Sequence, residues 1–316
     1  LEFARQLLRK LKVVEQRRPT TVVTTTYSVL WALCLRRSTW RVIFIYPGLA
    51  NPLKVGRRPA LGTRVARVYD RLQKTLVRRA WRVYAAASQD EIDAYAGGFR
   101  PPAPHIQPFV NSIDSTVFHP RDRHQARRGL GLPDSAFIVL GVGRLAAVKG
   151  WPLLIQAIRE LRTKRKEVLL LIIGSGEEEQ RLRAQVAMLN LDHTVRFLGS
   201  RGPLQIAEMM AAANVLAVTS YAEGLSYSML EAAACGCPIV TTSVSGAKDI
   251  VRNGESGFVV DSRDPRLFAQ SLSEAVTLEA AATIGPKLVD QRYGDDTLRE
   301  LIERDQWLLP ASANKG

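Results

Sequence analysis

Along the second half of the chain, short continuously apolar runs alternate with longer segments whose apolar residues recur every three or four positions. The runs 137–142, 168–173, 195–198, 215–218 and 238–241 are four to six residues long and rich in Val, Ile and Leu, as strands covered on both faces must be. Between them, 151–163, 177–189, 203–212 and 227–235 carry the helical period. Such regular alternation predicts a doubly wound parallel sheet.

The first hundred residues repeat the alternation less regularly. Helices are expected over Phe3–Arg17 and Ser28–Leu35, strands over 21–25, 42–45 and 83–87, and a long basic helix before the last of these. Ser88-Gln89-Asp90-Glu91 has the form of a capping box, which makes its carboxylates helix-start groups rather than metal ligands. Residues 101–135, rich in Pro and turn formers, are expected to be the linker between two domains. The chain opens at Leu1 in mid-helix, and the expectation is a fragment whose N-terminal domain is truncated.

Composition narrows the class. At 316 residues and 46% hydrophobic, the chain can bury two α/β cores, and no apolar run approaches the roughly 20 residues that span a bilayer. Three cysteines (Cys34, Cys235, Cys237) and four histidines lack metal-ligand spacing, which argues against a disulfide framework or structural zinc and for a cytoplasmic setting. Residues 1–100 hold 20 Lys and Arg against 6 Asp and Glu, so the whole formal charge of +14 sits in the first third. There Arg64, Arg67, Arg71, Lys74 and Arg78 recur at helical spacing beside Leu61, Val65, Val68, Leu72 and Leu76. This pattern fits an anionic membrane surface and fits a solvated helix face equally well; nucleic acid is the weaker alternative, because no aromatic stacking platform accompanies the charge.

Candidate chemistry lies after three of the second-half strands, where open parallel sheets bind ligands. Gly143-Arg144-Leu145-Ala146-Ala147-Val148-Lys149-Gly150 puts two cations ahead of a helix start, an anion site in outline. Gly174-Ser175-Gly176 makes a tight turn, permitting close backbone approach to a ligand, but lacks the third glycine of a dinucleotide fingerprint. In Ser220-Tyr221-Ala222-Glu223-Gly224-Leu225-Ser226, Glu223 lies in a loop and Ser226 is expected to cap the helix that carries Glu231. A carboxylate accepts hydrogen bonds from paired hydroxyls, which suits both glutamates to the diols of a sugar or ribose. Two glutamates eight apart are by themselves more often a solvated pair.

Glu223-Gly224 with Glu231-Ala232 and Cys235-Gly236-x-Pro238 resembles the E-x7-E signature of retaining GT-B glycosyltransferases, group 1. Asn111-Ser112-Ile113-Asp114 with Phe118 and Pro120 resembles that family's linker motif, with Ser112 replacing the usual glycine; Gly143-Arg144-Leu145 with Lys149-Gly150 resembles its phosphate loop. Phe197-Leu198-Gly199 and Ser245 to Val260 match in the same order, although Ser245 stands for a glycine.

The resemblance implies an α/β, GT-B architecture of two Rossmann-like doubly wound domains facing a cleft. The expected division is an acceptor-side domain over residues 1–111, with a helix at about 290–308 packing back on it, and a nucleotide-sugar donor-binding domain over 112–289. It implies that Gly143, Arg144 and Lys149 meet the donor diphosphate, Glu223 the transferred sugar and Glu231 the ribose. The backbones of Gly224, Leu225 and Ser226 would meet sugar or phosphate. Arg144, Lys149 and Glu223 would carry catalysis, with no bound metal and the nucleotide sugar as co-substrate; the acceptor would be a glycan or lipid-linked molecule, met at the inner membrane face. The family's histidine after the strand at 42–45 is missing, since the chain continues Tyr46-Pro47-Gly48. A sugar-nucleotide epimerase or hydrolase, or a non-catalytic donor-binding relative, are the alternatives.

Overall fold

The computed structural model describes residues 21–25, 30, 41–46, 71–72, 74–75, 77–87, 89–97, 105–109, 111–165 and 167–307. Most of the expected N-terminal helices and of the basic segment at 61–78, together with Cys34 and the Ser88 cap, lie outside them. Two compact units are present, Leu1–Val110 with Leu298–Gly316, and Asn111–Thr297. Among the described residues no helix is long and apolar enough to cross a membrane.

In the first unit, β1 (Thr21–Thr24), β2 (Arg41–Tyr46), β3 (Arg82–Ala85) and β4 (Ile106–Pro108) form a parallel sheet in that order, and α1 (Gln89–Ala96) follows β3. Alternate residues of β2 serve two cores. Phe44 and Tyr46 join Val83, Ala85, Ile92 and Ile106, whereas Ile43 and Ile45 join Tyr84, Leu301 and Trp307. Trp307 Nε1 donates to the Tyr84 hydroxyl at 2.9 Å, which in turn donates to Asp305 at 2.5 Å. Burial and that carboxylate push the Tyr84 phenol up to about 12, so the buried chain of bonds stays intact at neutral pH.

In the second unit, β5 (Phe137–Val142), β6 (Val168–Ile173), β7 (Val195–Gly199), β8 (Val215–Val218), β9 (Ile239–Thr242) and β10 (Gly257–Val260) form a parallel sheet in the order β10-β9-β8-β5-β6-β7. Helices α2 (Arg123–Gly129), α3 (Trp151–Lys164), α4 (Glu179–Met188), α5 (Pro203–Ala212), α6 (Tyr227–Ala234), α7 (Ala247–Ile250), α8 (Pro265–Glu274) and α9 (Ala281–Tyr293) accompany it, and α10 (Asp295–Arg304) leads into the first unit. The main core joins Val139, Leu170 and Ile172 of the sheet to Leu154, Ile158, Phe268 and Leu272 of α3 and α8.

Three expectations need correction. Residues 101–135 are not only a linker, because β4 and α2 lie within them. Helix α2 has no apolar stripe to betray it. Asp122 caps it by accepting from the Gln125 amide at 2.6 Å, and the buried guanidinium of Arg127 ties it down through the Ala212 and Asp134 carbonyls and the Asn214 side chain. The strand expected at 238–241 begins one residue later, at Ile239, after Pro238, which has no N–H for a sheet ladder. Strand β10 falls among polar turns and starts with Gly257, where a Cβ would sit 1.9 Å from the Ile239 carbonyl.

Candidate functional site

The direction of strand order reverses between β5 and β8: the chain runs outward through β6 and β7, then returns to β8 on the other side of β5. Loops leaving neighbouring parallel strands on opposite faces open a crevice at such a point. The loops leaving β5 and β8 are Gly143–Gly150 and Thr219–Ser226, which hold the predicted cations and carboxylates.

The β5 loop ends in a single 3-10 turn, Ala147–Lys149, and then Gly150 takes the left-handed conformation that starts α3. A Cβ on Gly150 would lie 2.1 Å from the Thr219 carbonyl, so only glycine lets the two loops touch. They are then stitched together. The Tyr221 amide donates to the Val148 carbonyl at 2.7 Å, and Thr219 Oγ1 donates to the Lys149 carbonyl at 3.2 Å.

This stitching brings Lys149 to Glu223. Lys149 Nζ lies 2.7 and 2.9 Å from the two Glu223 oxygens, and Ser220 Oγ donates to one of them at 2.5 Å. The Glu223 side chain is only 10% exposed, so the pair is screened far less than one in open water. Arg144 is exposed and makes no ion pair among the described residues; its backbone carbonyl accepts from Trp151 Nε1 at 2.9 Å.

Glu231 lies in the second turn of α6 and is treated differently. Its carboxylate has no hydrogen-bond partner among the described residues, and burial alone pushes it up to about 7. Its charge, together with burial, raises the phenol of Tyr227 one turn earlier. Gly224 lies in the loop between the two glutamates, Leu225 is buried, and the Leu225 carbonyl accepts from the buried Asn111 amide at 3.3 Å.

Ser226 occupies the N-cap position of α6, but its hydroxyl meets Ser228 Oγ at 3.0 Å and makes no capping bond, contrary to expectation. The glycines of Gly174-Ser175-Gly176 serve packing: a Cβ on Gly174 would lie 1.9 Å from the Gly143 carbonyl, and one on Gly176 would lie 2.5 Å from that of Leu145. The close approach is thus to the β5 loop, and it supports that loop from below. Ser220 and Asn111 hold the site without being assigned a role by any motif; the three-residue spacing of Ser220 and Glu223 is the signal that joins those two.

Cys235 and Cys237 are buried, and burial pushes both thiols up to about 12, which leaves them protonated and inert. His119 and His124 are exposed, with Nδ1 3.2 Å from the Ser115 carbonyl and 3.2 Å from Asp134, respectively. Among the described residues no three His, Cys, Asp or Glu are grouped to hold a metal ion.

Residues 122–285 match the family model of the glycosyl transferases group 1, and the chain belongs to that family. It is similar to the D-inositol 3-phosphate glycosyltransferase of a Nocardioides species, 36% identical over 183 residues (53% of this chain and 40% of the relative). The protein of the same name from Acidothermus cellulolyticus is 37% identical over 169 residues (51% and 38%). The chain spans about two-fifths of the length of these curated relatives. Among solved structures, sucrose-phosphate synthase from Thermosynechococcus elongatus matches 96% of this chain and 77% of its own with a TM-score of 0.83 at 21% identity. Anabaena HepE in complex with UDP and glucose matches 96% and 81% with a TM-score of 0.78 at 20% identity. These neighbours show the fold, GT-B with two parallel-sheet Rossmann-like units.

Proposed function

We propose that the protein transfers a sugar from a nucleoside-diphosphate sugar, with UDP as the nucleotide, to a glycan or lipid-linked acceptor, with retention at the anomeric carbon. The observation that carries this reading is the convergence of Lys149 and Glu223 where the order of the second sheet reverses, with Glu231 buried on the adjoining helix. A cation, a carboxylate beside it and a second carboxylate with no partner among the described residues match the three parts of such a donor: diphosphate, sugar and ribose.

In this reading Glu231 accepts from the ribose hydroxyls and Lys149 exchanges Glu223 for the diphosphate. Glu223, released, accepts from the sugar hydroxyls while Ser220 keeps it in place. Arg144, which is exposed, adds the second positive charge. The backbones of Gly143, Gly224, Leu225 and Ser226 line the same crevice. As the sugar leaves, charge grows on the departing phosphate and the two cations stabilise it, which makes a bound metal unnecessary to the proposal. The acceptor hydroxyl gives its proton to that phosphate. UDP and glucose, or UDP-glucose, occupy the fold neighbours named for them, which supports a UDP-sugar as donor. The basic charge of residues 1–100 supports action at the inner face of a membrane carrying anionic lipid.

The reading is tested with labelled UDP-sugars and crude glycolipid acceptor. The Lys149→Ala variant should lose transfer by a factor on the order of a thousand, the scale set by removal of one transition-state charge partner. Undiminished transfer by that variant would refute the role of Lys149.

A further inference from the structure

Arg263 lies outside the two site loops, yet it touches the β8 loop at three successive residues. Its guanidinium donates to the Thr219 carbonyl at 2.8 Å and to the Ser220 carbonyl at 3.2 Å, and it lies 3.7 Å from the centre of the Tyr221 ring. The same group passes close to Gly150: a Cβ there would sit 2.6 Å from its terminal nitrogen. Thr219 and Tyr221 are the residues bonded to the turn that carries Lys149, and Ser220 is the residue bonded to Glu223. One side chain therefore grips the stretch on which both halves of the charged pair depend.

Arg263 is mounted beside an anchored helix. It lies between β10 and α8, and α8 is anchored in the main core by Phe268, Ala269 and Leu272. The neighbouring carboxylate, Asp264, caps α8 and pairs with Arg266, which leaves the Arg263 fork to the loop carbonyls. A planar fork that reaches two consecutive carbonyls while its face covers an aromatic ring is a geometry that lysine cannot reproduce.

We propose that Arg263 is a positioning residue for the donor site, holding the Thr219–Tyr221 backbone so that Glu223 and Lys149 stand at the spacing the nucleotide sugar requires. The inference rests on the donor-site reading given above. Arg263 itself touches no substrate. Its loss would let the loop relax by a fraction of an ångström to an ångström, while Glu231, held on the separate helix α6, keeps its place.

The experiment uses the full chain and, with crude glycolipid present as acceptor, follows release of nucleoside diphosphate from an equimolar mixture of UDP-glucose, UDP-N-acetylglucosamine, GDP-mannose and ADP-glucose. Arg263→Ala should lower the rate roughly 30- to 100-fold, the scale of a small misplacement of reacting groups, with Arg263→Lys in between. The double variant Arg263→Ala/Glu223→Gln should be no slower than Glu223→Gln within about a factor of three, because the arginine acts through the Glu223–Lys149 pair, which the amide already breaks. A merely structural contact would instead multiply the two losses. Hydrogen exchange provides a readout that needs no donor: the Tyr221 amide should exchange at least tenfold faster in Arg263→Ala. A full rate in Arg263→Ala, multiplicative losses in the double variant or an unchanged Tyr221 amide would overturn the inference alone. Absence of release by the unmodified chain, or a full rate in Glu223→Gln, would instead overturn the donor-site reading on which it rests.

Discussion

The loop after β8 and the helix that follows it handle their glutamates in opposite ways. In the loop, Glu223 is held by Lys149 and Ser220, and its charge is satisfied within the protein. In the helix, Glu231 has no partner among the described residues and is pushed up to about 7 by burial. A ligand arriving at the loop must exchange one ion pair for another, whereas a ligand at the helix relieves a cost already present. The first arrangement favours selectivity, since only a strong anion displaces Glu223 from Lys149; the second favours affinity for any group bringing paired hydroxyl donors.

The harshest way to break the comparison is Gly150→Ala. The new Cβ would meet the Thr219 carbonyl at 2.1 Å on a backbone with φ of 64°, so the two loops would have to part. A loss of more than about 3 kcal/mol in denaturant unfolding is expected, together with loss of donor binding. Retained stability would mean that the loops are not packed as described.

Lys149→Ala should have a smaller effect on the fold, about 1 to 3 kcal/mol, because Glu223 keeps Ser220 and some contact with water. Chemical denaturation separates this from its much larger effect on transfer. Glu231→Gln works in the other direction. Its folded-state value is raised above the ordinary 4.5, so the native protein binds more protons than the unfolded chain between about pH 4.5 and 7 and loses stability as pH rises through that window. At pH 8 the amide should raise the melting temperature, and at pH 4 it should not; a lower melting temperature at pH 8 would show that the carboxylate has a partner after all.

The same group should make donor affinity depend on pH. If ribose binds the ionised form, UDP-glucose should bind roughly tenfold tighter at pH 8 than at pH 6, and Glu231→Gln should flatten the dependence. UDP-glucose serves better than UDP because it has no terminal phosphate group titrating in that range. The mildest change is Ser226→Ala. Its hydroxyl makes no capping bond, so the loss should stay below about 0.5 kcal/mol, under the roughly 1 kcal/mol of an ordinary N-cap.

Much of this arrangement could be read from the chain. Strands β5, β6 and β8 match their apolar runs residue for residue, since continuous burial on both faces writes itself into composition. The residues of the two loops were legible for the same reason in reverse: charged groups and glycines at strand ends stand out against apolar neighbours. What the pattern hides is contact across sequence distance. Lys149 meets Glu223 over 74 residues, Arg263 meets Thr219 over 44, and no local period encodes either. Helix α9 carries Gly285 and Pro286 in its interior, residues that oppose a helix by propensity; Gly285 is there because a Cβ would lie 2.4 Å from the Ala233 carbonyl of α6. Helix α2, fastened by a buried arginine rather than an apolar stripe, leaves no hydrophobic period in the sequence.

The division of labour between the two glutamates is tested most directly by calorimetric titration of UDP and UDP-glucose into Glu223→Gln and Glu231→Gln. Glu231→Gln should weaken both ligands by the same factor, roughly tenfold or more. Glu223→Gln should weaken UDP-glucose alone and leave UDP bound as well or better, because Lys149 no longer has a competing carboxylate. Equal weakening of both ligands by Glu223→Gln, or a loss confined to UDP-glucose in Glu231→Gln, would contradict the assignment of sugar to the loop and ribose to the helix.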